Sequence, residues 1–355
     1  MPIPAEPKIE LHVHLEGTVG PRTLLDIARR NGIDLMRAAR DKGIALPAAT
    51  VHDLQEIYQY TDFRHFLDIW RLTTGVLRTE ADFRQIVVDY AAAAAEHGLV
   101  YAEAQFSPGT RFRNGVSLRA MFDGVAAGVA DAAALHGVDI RLIPSVVWED
   151  SPAVAEKIAR LAAEYRSRGV VGLGLGGRRA PGVGIETFRT AIDLAAAAGL
   201  GFVPHAGEEG GAREVREVMA ARPDRIQHAF FQPAEDPRLA AELAELGIVV
   251  DAAPISNLRT GVVADLADHP VRHLAEAGVR ISISTDDPAM FGNNLDTEYA
   301  VARQLGIPAE VAYFDALQGI LAEPAARWRL TAIGETAYGP AAEPTPDAEM
   351  PTADE

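Results

Sequence analysis

The sequence predicts an α/β fold, a (β/α)8 or TIM barrel with extra helices after its first strand and a disordered acidic C-terminal tail. Three observations carry that prediction. Eight short, mostly apolar runs alternate with helix-like stretches along the 355 residues. Several of those stretches stop at glycine. Histidines and acids gather at or just past the ends of the apolar runs, where the mouth of such a barrel lies.

The candidate strands are 10–15, 99–106, 140–147, 170–175, 201–205, 225–230, 248–252 and 280–285. Nearly all are continuous apolar runs, as parallel strands covered by helices on their outer face should be. Ala-, Leu-, Glu- and Arg-rich stretches such as 152–168, 186–198 and 237–246 read as amphipathic helices between them. Gly98, Gly169, Gly199, Gly247 and Gly278 follow as stop signals. Residues 18–98 are too many for one helix and should hold several, including one near 51–60 and another near 63–72. Insertions after barrel strands sit over the mouth, which makes Phe63, Phe66 and Trp70 candidates for an apolar lid. The barrel is expected to span 1–336. From 337 to 355 the chain turns Pro/Ala/Glu-rich and cannot bury enough apolar surface to fold.

Composition narrows the chemistry. With 48% hydrophobic residues the chain suits one large single-core domain or two smaller ones. No run approaches the roughly 20 apolar residues of a membrane span, and residues 1–8 lack the pattern of a secretory signal. A cytoplasmic protein without membrane contact is expected. A net charge of −17 argues against nucleic acid as a partner. The chain has no cysteine, so any transition metal must be held by histidine and carboxylate.

The candidate ligands are His12 and His14 on the first strand, His205 on the fifth, His228 on the sixth and the Asp286-Asp287 pair on the eighth. The His-x-His spacing matters because strand side chains alternate, so His12 and His14 face one way. Three neutral imidazoles and a carboxylate suit one Zn²⁺, or another divalent ion of borderline softness. Zinc lowers the pKa of its water from about 16 to near 7, which provides a nucleophile at neutral pH. A nearby carboxylic acid can protonate the substrate as attack proceeds. His228 is either a fourth ligand or a base that orients the nucleophile. The only lysines are Lys8, Lys42 and Lys157. None ends a candidate strand, so a carbamylated bridge between two metals is not expected.

In these segments the chain resembles the adenosine deaminase family of metal-dependent amidohydrolases. The likeness rests on His12-Val-His14-Leu-Glu16-Gly17, Pro204-His205-Ala-Gly-Glu208, Arg225-Ile-Gln-His228, Pro254-Ile-Ser256-Asn257 and Ser284-Thr-Asp286-Asp287-Pro288. The resemblance implies one zinc per chain on His12, His14, His205 and Asp286. It implies Glu208 as proton shuttle to purine N1, and His228 and Asp286 as the pair that orients and deprotonates the nucleophile. Glu16, Asp287 (toward N7), the Gly177 N–H (toward N3) and His14 would meet the substrate.

The departures concern substrate. Gln227 and Ala229 flank His228 where many members carry glycine, and strand alternation should turn both from the pocket. Gln105 stands where an arginine is frequent. Glu16 replaces the aspartate of many adenosine-specific members. Arg178 and Arg179 follow Gly177 and could favour an anionic substituent. The first expectation is a 6-aminopurine nucleoside, adenosine by default. The alternatives are the aminodeoxyfutalosine deaminase of menaquinone biosynthesis, whose substrate is an adenine nucleoside with a benzoate on its 5′ side, or a deaminase of adenine or an N6-substituted adenylate. Outside this chemistry stand an ester or cyclic-amide metallo-hydrolase and a catalytically silent nucleoside-binding member.

Overall fold

The computed structural model describes residues 3–60, 63–179, 182–208 and 210–340, the side chains of 63 and 64 excepted. Eight strands form one parallel sheet in sequential order: β1 (Lys8–His14), β2 (Leu99–Phe106), β3 (Asp139–Val147), β4 (Gly172–Gly176), β5 (Gly201–Ala206), β6 (Arg225–His228), β7 (Val249–Ala252) and β8 (Arg280–Ile283). The ring closes between its first and last strands. There His14 N–H donates to Asp286 O at 2.8 Å and Asp286 N–H donates to His12 O at 3.0 Å. The expected barrel is therefore observed. All five expected stop glycines take the left-handed conformation that glycine tolerates without a Cβ clash.

Helices Pro21–Arg30, Leu35–Arg40, Val51–Ile57, Phe63–Thr74 and Glu80–Ala95 fill the long connection between β1 and β2. The chain extends past the last strand in helices that end with Pro324–Tyr338. That helix runs beyond the expected boundary at 336 because Tyr338 packs on Tyr313 and its hydroxyl donates to Pro7 O at 2.8 Å. Residues 341–355 of the expected tail lie outside the described residues. Among the described residues no helix is long and apolar enough to cross a membrane.

A large apolar core lies between the strands and the surrounding helices, and a smaller one, with Ile9, Leu11, Tyr101 and Leu317, sits below the strands. Between that smaller core and the mouth lies a fully buried charge network. Arg225 donates to Asp251 at 2.7 Å, to Glu103 at 2.7 Å and to the carbonyls of Gly319 and Leu11. Tyr101 and Ser282 hydroxyls saturate the two carboxylates. Fully satisfied, such a network fixes strand positions; half-satisfied, it would be costly.

Candidate active site

His12 and His14 reach the mouth through an irregular strand. The β1–β2 ladder slips between Glu10 and Val13. The Ser284 hydroxyl accepts from the backbone N–H of both Leu11 and His12, at 3.2 and 3.1 Å, and so occupies the break. A bulge of this kind re-aims side chains. After it Val13 packs in the core under the helices while His12 and His14 meet at the mouth, rings 5.4 Å apart.

The histidines converge with Asp286. His14 Nε2 lies 3.1 Å from His205 Nε2, and Asp286 Oδ1 lies 3.4 Å from His14 Nε2 and 3.5 Å from His12 Nε2. His205 Nδ1 donates to the Leu175 carbonyl at 3.0 Å, which leaves its Nε2 lone pair facing the others. A Cβ on Gly176 would meet His205 Nδ1 at 2.7 Å, so only glycine admits that ring. Neither ring nitrogen of buried His12 makes a hydrogen bond of ordinary geometry, although the ring lies near the Asp251 backbone. Burial, and the neighbouring imidazoles, hold His12 and His205 well below the ordinary histidine range. Burial lowers His14 as well, against the pull of Asp286. These imidazoles are neutral, with lone pairs aimed at one point. Two donor sets that share His12 fit a divalent metal ion, His12 with His14 and His205, and His12 with His228 and Asp286. Lys8 starts β1 and bonds to Asp296 at 2.9 Å, far from this rim.

Asp286 is held by force. Its φ is +63°, a strained value for a residue with a side chain. Glu10 clamps the preceding residue, accepting from Thr285 N–H at 2.7 Å and the Thr285 hydroxyl at 2.6 Å, while Tyr90 donates to its other oxygen. Asn293 bonds the Thr285 carbonyl at 3.0 Å and is itself held by Glu298. Ser256 donates to Asp286 Oδ2 at 2.7 Å. An acid inside the apolar first strand was the available signal for Glu10, since a buried carboxylate must find donors. Glu298 sits in the first turn of the helix Leu295–Gln304, where acids are ordinary, and gives no such signal.

His228 stands opposite. Its φ is +61°, and the N–H of Ala229 donates to the Gln227 carbonyl at 2.8 Å across it. This γ-turn, of the strained hand, ends β6 two residues before the expected 230. Ala229 lies past the end of β6 at positive φ, so strand alternation, the expected reason for it to face away, does not set its direction. Gln227 is fully buried and neither of its amide atoms finds a partner. Gln105 accepts from the Ser145 hydroxyl inside the barrel.

A chain of hydrogen bonds sets the His228 tautomer. Val271 N–H donates to His269 Nδ1 at 3.1 Å, so His269 carries its hydrogen on Nε2. That nitrogen donates to Asn257 Oδ1 at 3.1 Å, which turns the Asn257 amide nitrogen toward His228 Nδ1 at 3.3 Å. His228 therefore accepts at Nδ1 and carries hydrogen on Nε2, which lies 3.4 Å from Glu208 Oε1.

At the remaining edge stand Glu16 and Asp287. Glu16 accepts from Ser107 N–H at 2.7 Å, and its second oxygen has no partner. Burial raises its carboxyl, opposed by the Ser107 N–H and the Arg111 charge. Asp287 Oδ1 is buried without a partner too. Burial, then Asp286, Glu16 and Glu208, push its carboxyl well above the usual range. Gly177 has φ +76° at the end of β4.

Aromatic rings border this edge. Phe66 stacks on Phe291 with centroids 5.7 Å apart and meets Tyr60 at 5.2 Å and Trp70 at 6.3 Å. The side chain of Phe63, the third lid candidate, lies outside the described residues. Burial raises the Tyr60 phenol, opposed by Arg259 and reinforced by Asp287 and Asp286. Arg179, expected at the rim, is instead bound to Glu217 through two 2.7 Å bonds, with its guanidinium over Trp148. Arg178 is engaged as well.

This geometry coincides with a family match over residues 7–308. The chain belongs to the adenosine deaminase family. Its members are deaminases, hydrolases acting on C–N bonds of cyclic amidines, within the metal-dependent amidohydrolases. The chain is 44% identical to an aminodeoxyfutalosine deaminase of Acidothermus cellulolyticus over 349 residues, 95% of this chain and 94% of that one. It resembles the crystal structure of an adenine deaminase from Arthrobacter aurescens with a TM-score of 0.82 and 28% identity, over 93% of this chain and 98% of that one. An amidohydrolase from Burkholderia ambifaria with bound zinc gives 0.75 and 27%, over 94% and 93%.

Proposed function

We propose that this member hydrolyses the 6-amino group of aminodeoxyfutalosine, an adenine nucleoside carrying a benzoate on its 5′ side, and releases ammonia. The observation that carries the chemistry is the convergence of three lone-pair-bearing imidazoles and one carboxylate oxygen opposite Glu208 and the His228 Nε2 hydrogen. The Acidothermus relative supports the 5′-substituted nucleoside over adenosine, the first expectation from sequence.

His12, His14, His205 and Asp286 would hold one divalent ion, and the donor set favours zinc. Bound there, the ion would supply a water activated for attack at neutral pH. The remaining work falls to side chains. His228, with hydrogen on Nε2, orients the attacking oxygen, a role its tautomer suits better than that of a fourth ligand. Asp286 accepts the proton released as oxygen adds to C6. Attack dearomatises the ring and builds charge at N1, and a proton from Glu208 removes it. The tetrahedral carbon then carries hydroxyl and amine; proton transfer to the amine lets ammonia leave and the 6-oxopurine forms. Asp287 meets N7, the Gly177 N–H meets N3, and Glu16 with His14 borders the sugar.

A substrate panel tests this reading. Aminodeoxyfutalosine, adenosine, adenine and an N6-substituted adenylate are compared by ammonia release and loss of adenine absorbance. The expected result is the highest kcat/KM for aminodeoxyfutalosine. A higher value for any other member of the panel would reject the substrate, and no ammonia from any of them would reject the chemistry.

A further inference from the structure

The pocket presents Glu16, Glu208, Asp286 and Asp287 to its ligand, so an anionic substrate needs a nearby cation. Two arginines are unsuited to that task. Arg179 is spent on Glu217. Arg111 is buried, donates to the Thr74 carbonyl at 2.8 Å and faces Glu16.

Arg259 differs from both. It ends the helix Pro254–Arg259, which enters the mouth directly after β7. Ser256, one turn earlier, touches Asp286, and residues three apart on a helix share a face. Arg259 is exposed, and among the described residues no carboxylate lies within ion-pair distance. Its guanidinium sits 5.0 Å from the centroid of the Tyr60 ring. The buried Tyr60 hydroxyl lies toward that guanidinium outside hydrogen-bonding geometry and has no partner. Tyr60 meets Phe66, which stacks on Phe291, four residues past Asp287. One planar cation, one hydroxyl without a hydrogen bond of ordinary geometry and a cluster of packed rings thus share the Asp287 edge of the pocket.

We propose that Arg259, seated on Tyr60, is the specificity-determining site for an aryl carboxylate on the substrate's 5′ side. The carboxylate accepts two parallel N–H bonds from the guanidinium, whose fork matches it. The aryl ring packs on Phe66 and Phe291. The inference rests on the substrate reading above and adds the residue that selects it.

The test compares aminodeoxyfutalosine with its methyl ester, which keeps the ring and removes the charge. Wild-type protein should favour the acid in kcat/KM by roughly tenfold or more, the range of a hydrogen bond to a charged group, and added salt should shrink the ratio. Arg259→Gln should bring the acid-to-ester ratio toward one. Arg259→Lys, which keeps charge and loses the fork, should restore part of it. A ratio that survives Arg259→Gln overturns the inference and leaves the substrate reading standing. A wild-type ratio near one, with both compounds turned over, does the same. Turnover of adenosine or adenine but of neither acid nor ester rejects the substrate reading, and the inference falls with it.

Discussion

Gly17→Ala is a sharp perturbation because the structure states what the added methyl group meets. Gly17 lies in the single turn Leu15–Thr18 that follows His14. A Cβ there would stand 2.6 Å from Asp287 Cγ and 2.7 Å from Asp287 Cβ, and closer still to Oδ1. Real Cβ contacts are not that short, so Asp287 must move. It is 8% exposed and has no spare room at the site's edge. The Gly17 backbone needs no left-handed conformation, so strain in the main chain does not confuse the result. Losing the proposed Asp287 bond to N7 should forfeit about 1.5–3 kcal/mol, which corresponds to a fall in kcat/KM of roughly 10- to 150-fold. Metal content should stay at the wild-type value, because none of the four proposed ligands is the residue displaced. The assay is a double-mutant cycle with Asp287→Gly, which removes Oδ1, Cγ and Cβ, the atoms the methyl group meets. Gly17→Ala should cost little in that background, so the two losses should be strongly non-additive. Activity within about threefold of wild type, or losses that simply add, would refute the reasoning.

Two further outcomes follow from the same geometry. Glu208→Gln should retain metal and bind the purine nucleoside while losing turnover by ~10²–10⁴-fold, as removal of a general acid does; near-normal turnover would place the proton source elsewhere. Asp315 tests the pH dependence of the fold away from the site. It accepts from the Ile281 N–H at 2.9 Å, and burial pushes its carboxyl up to about 6 from 3.8. Between those values the folded chain keeps a proton the unfolded chain has lost, so stability falls as pH rises through 6 and the cost is absent below 3.8. Asp315→Asn should therefore unfold later than wild type near pH 8, by about 1–2 kcal/mol after allowing for solvent screening, and the gap should close near pH 4; a gap independent of pH would count against it.

Much of this was legible in the sequence because parallel barrel strands are buried on both faces and read as apolar runs. The second strand matched at both ends, 99–106, and most others within two residues. The sixth and eighth strands stop earlier than expected, for a local reason: His228 and Asp286 both adopt positive φ, and that turn chemistry leaves no mark on hydrophobic pattern. The His-x-His spacing predicted a shared face correctly, yet Glu10, two residues before His12, turns to Tyr90 and Thr285 because of the slip in the ladder. Arg178 and Arg179 looked available as a rim charge, since sequence shows a cation but not its partner; Glu217, 38 residues away from Arg179, takes it. Arg259 and Tyr60 carried no motif at all, and only the folded chain brings them together.

The central claim is that a single divalent ion on His12, His14, His205 and Asp286 makes this pocket a C6 hydrolase. Titrating metal-free protein with zinc while following ammonia release from aminodeoxyfutalosine tests it most directly. The account predicts no release without metal, a linear rise that saturates at about one equivalent per chain, and no recovery in His14→Ala. Full activity in metal-free protein, or saturation only at two equivalents, would contradict it.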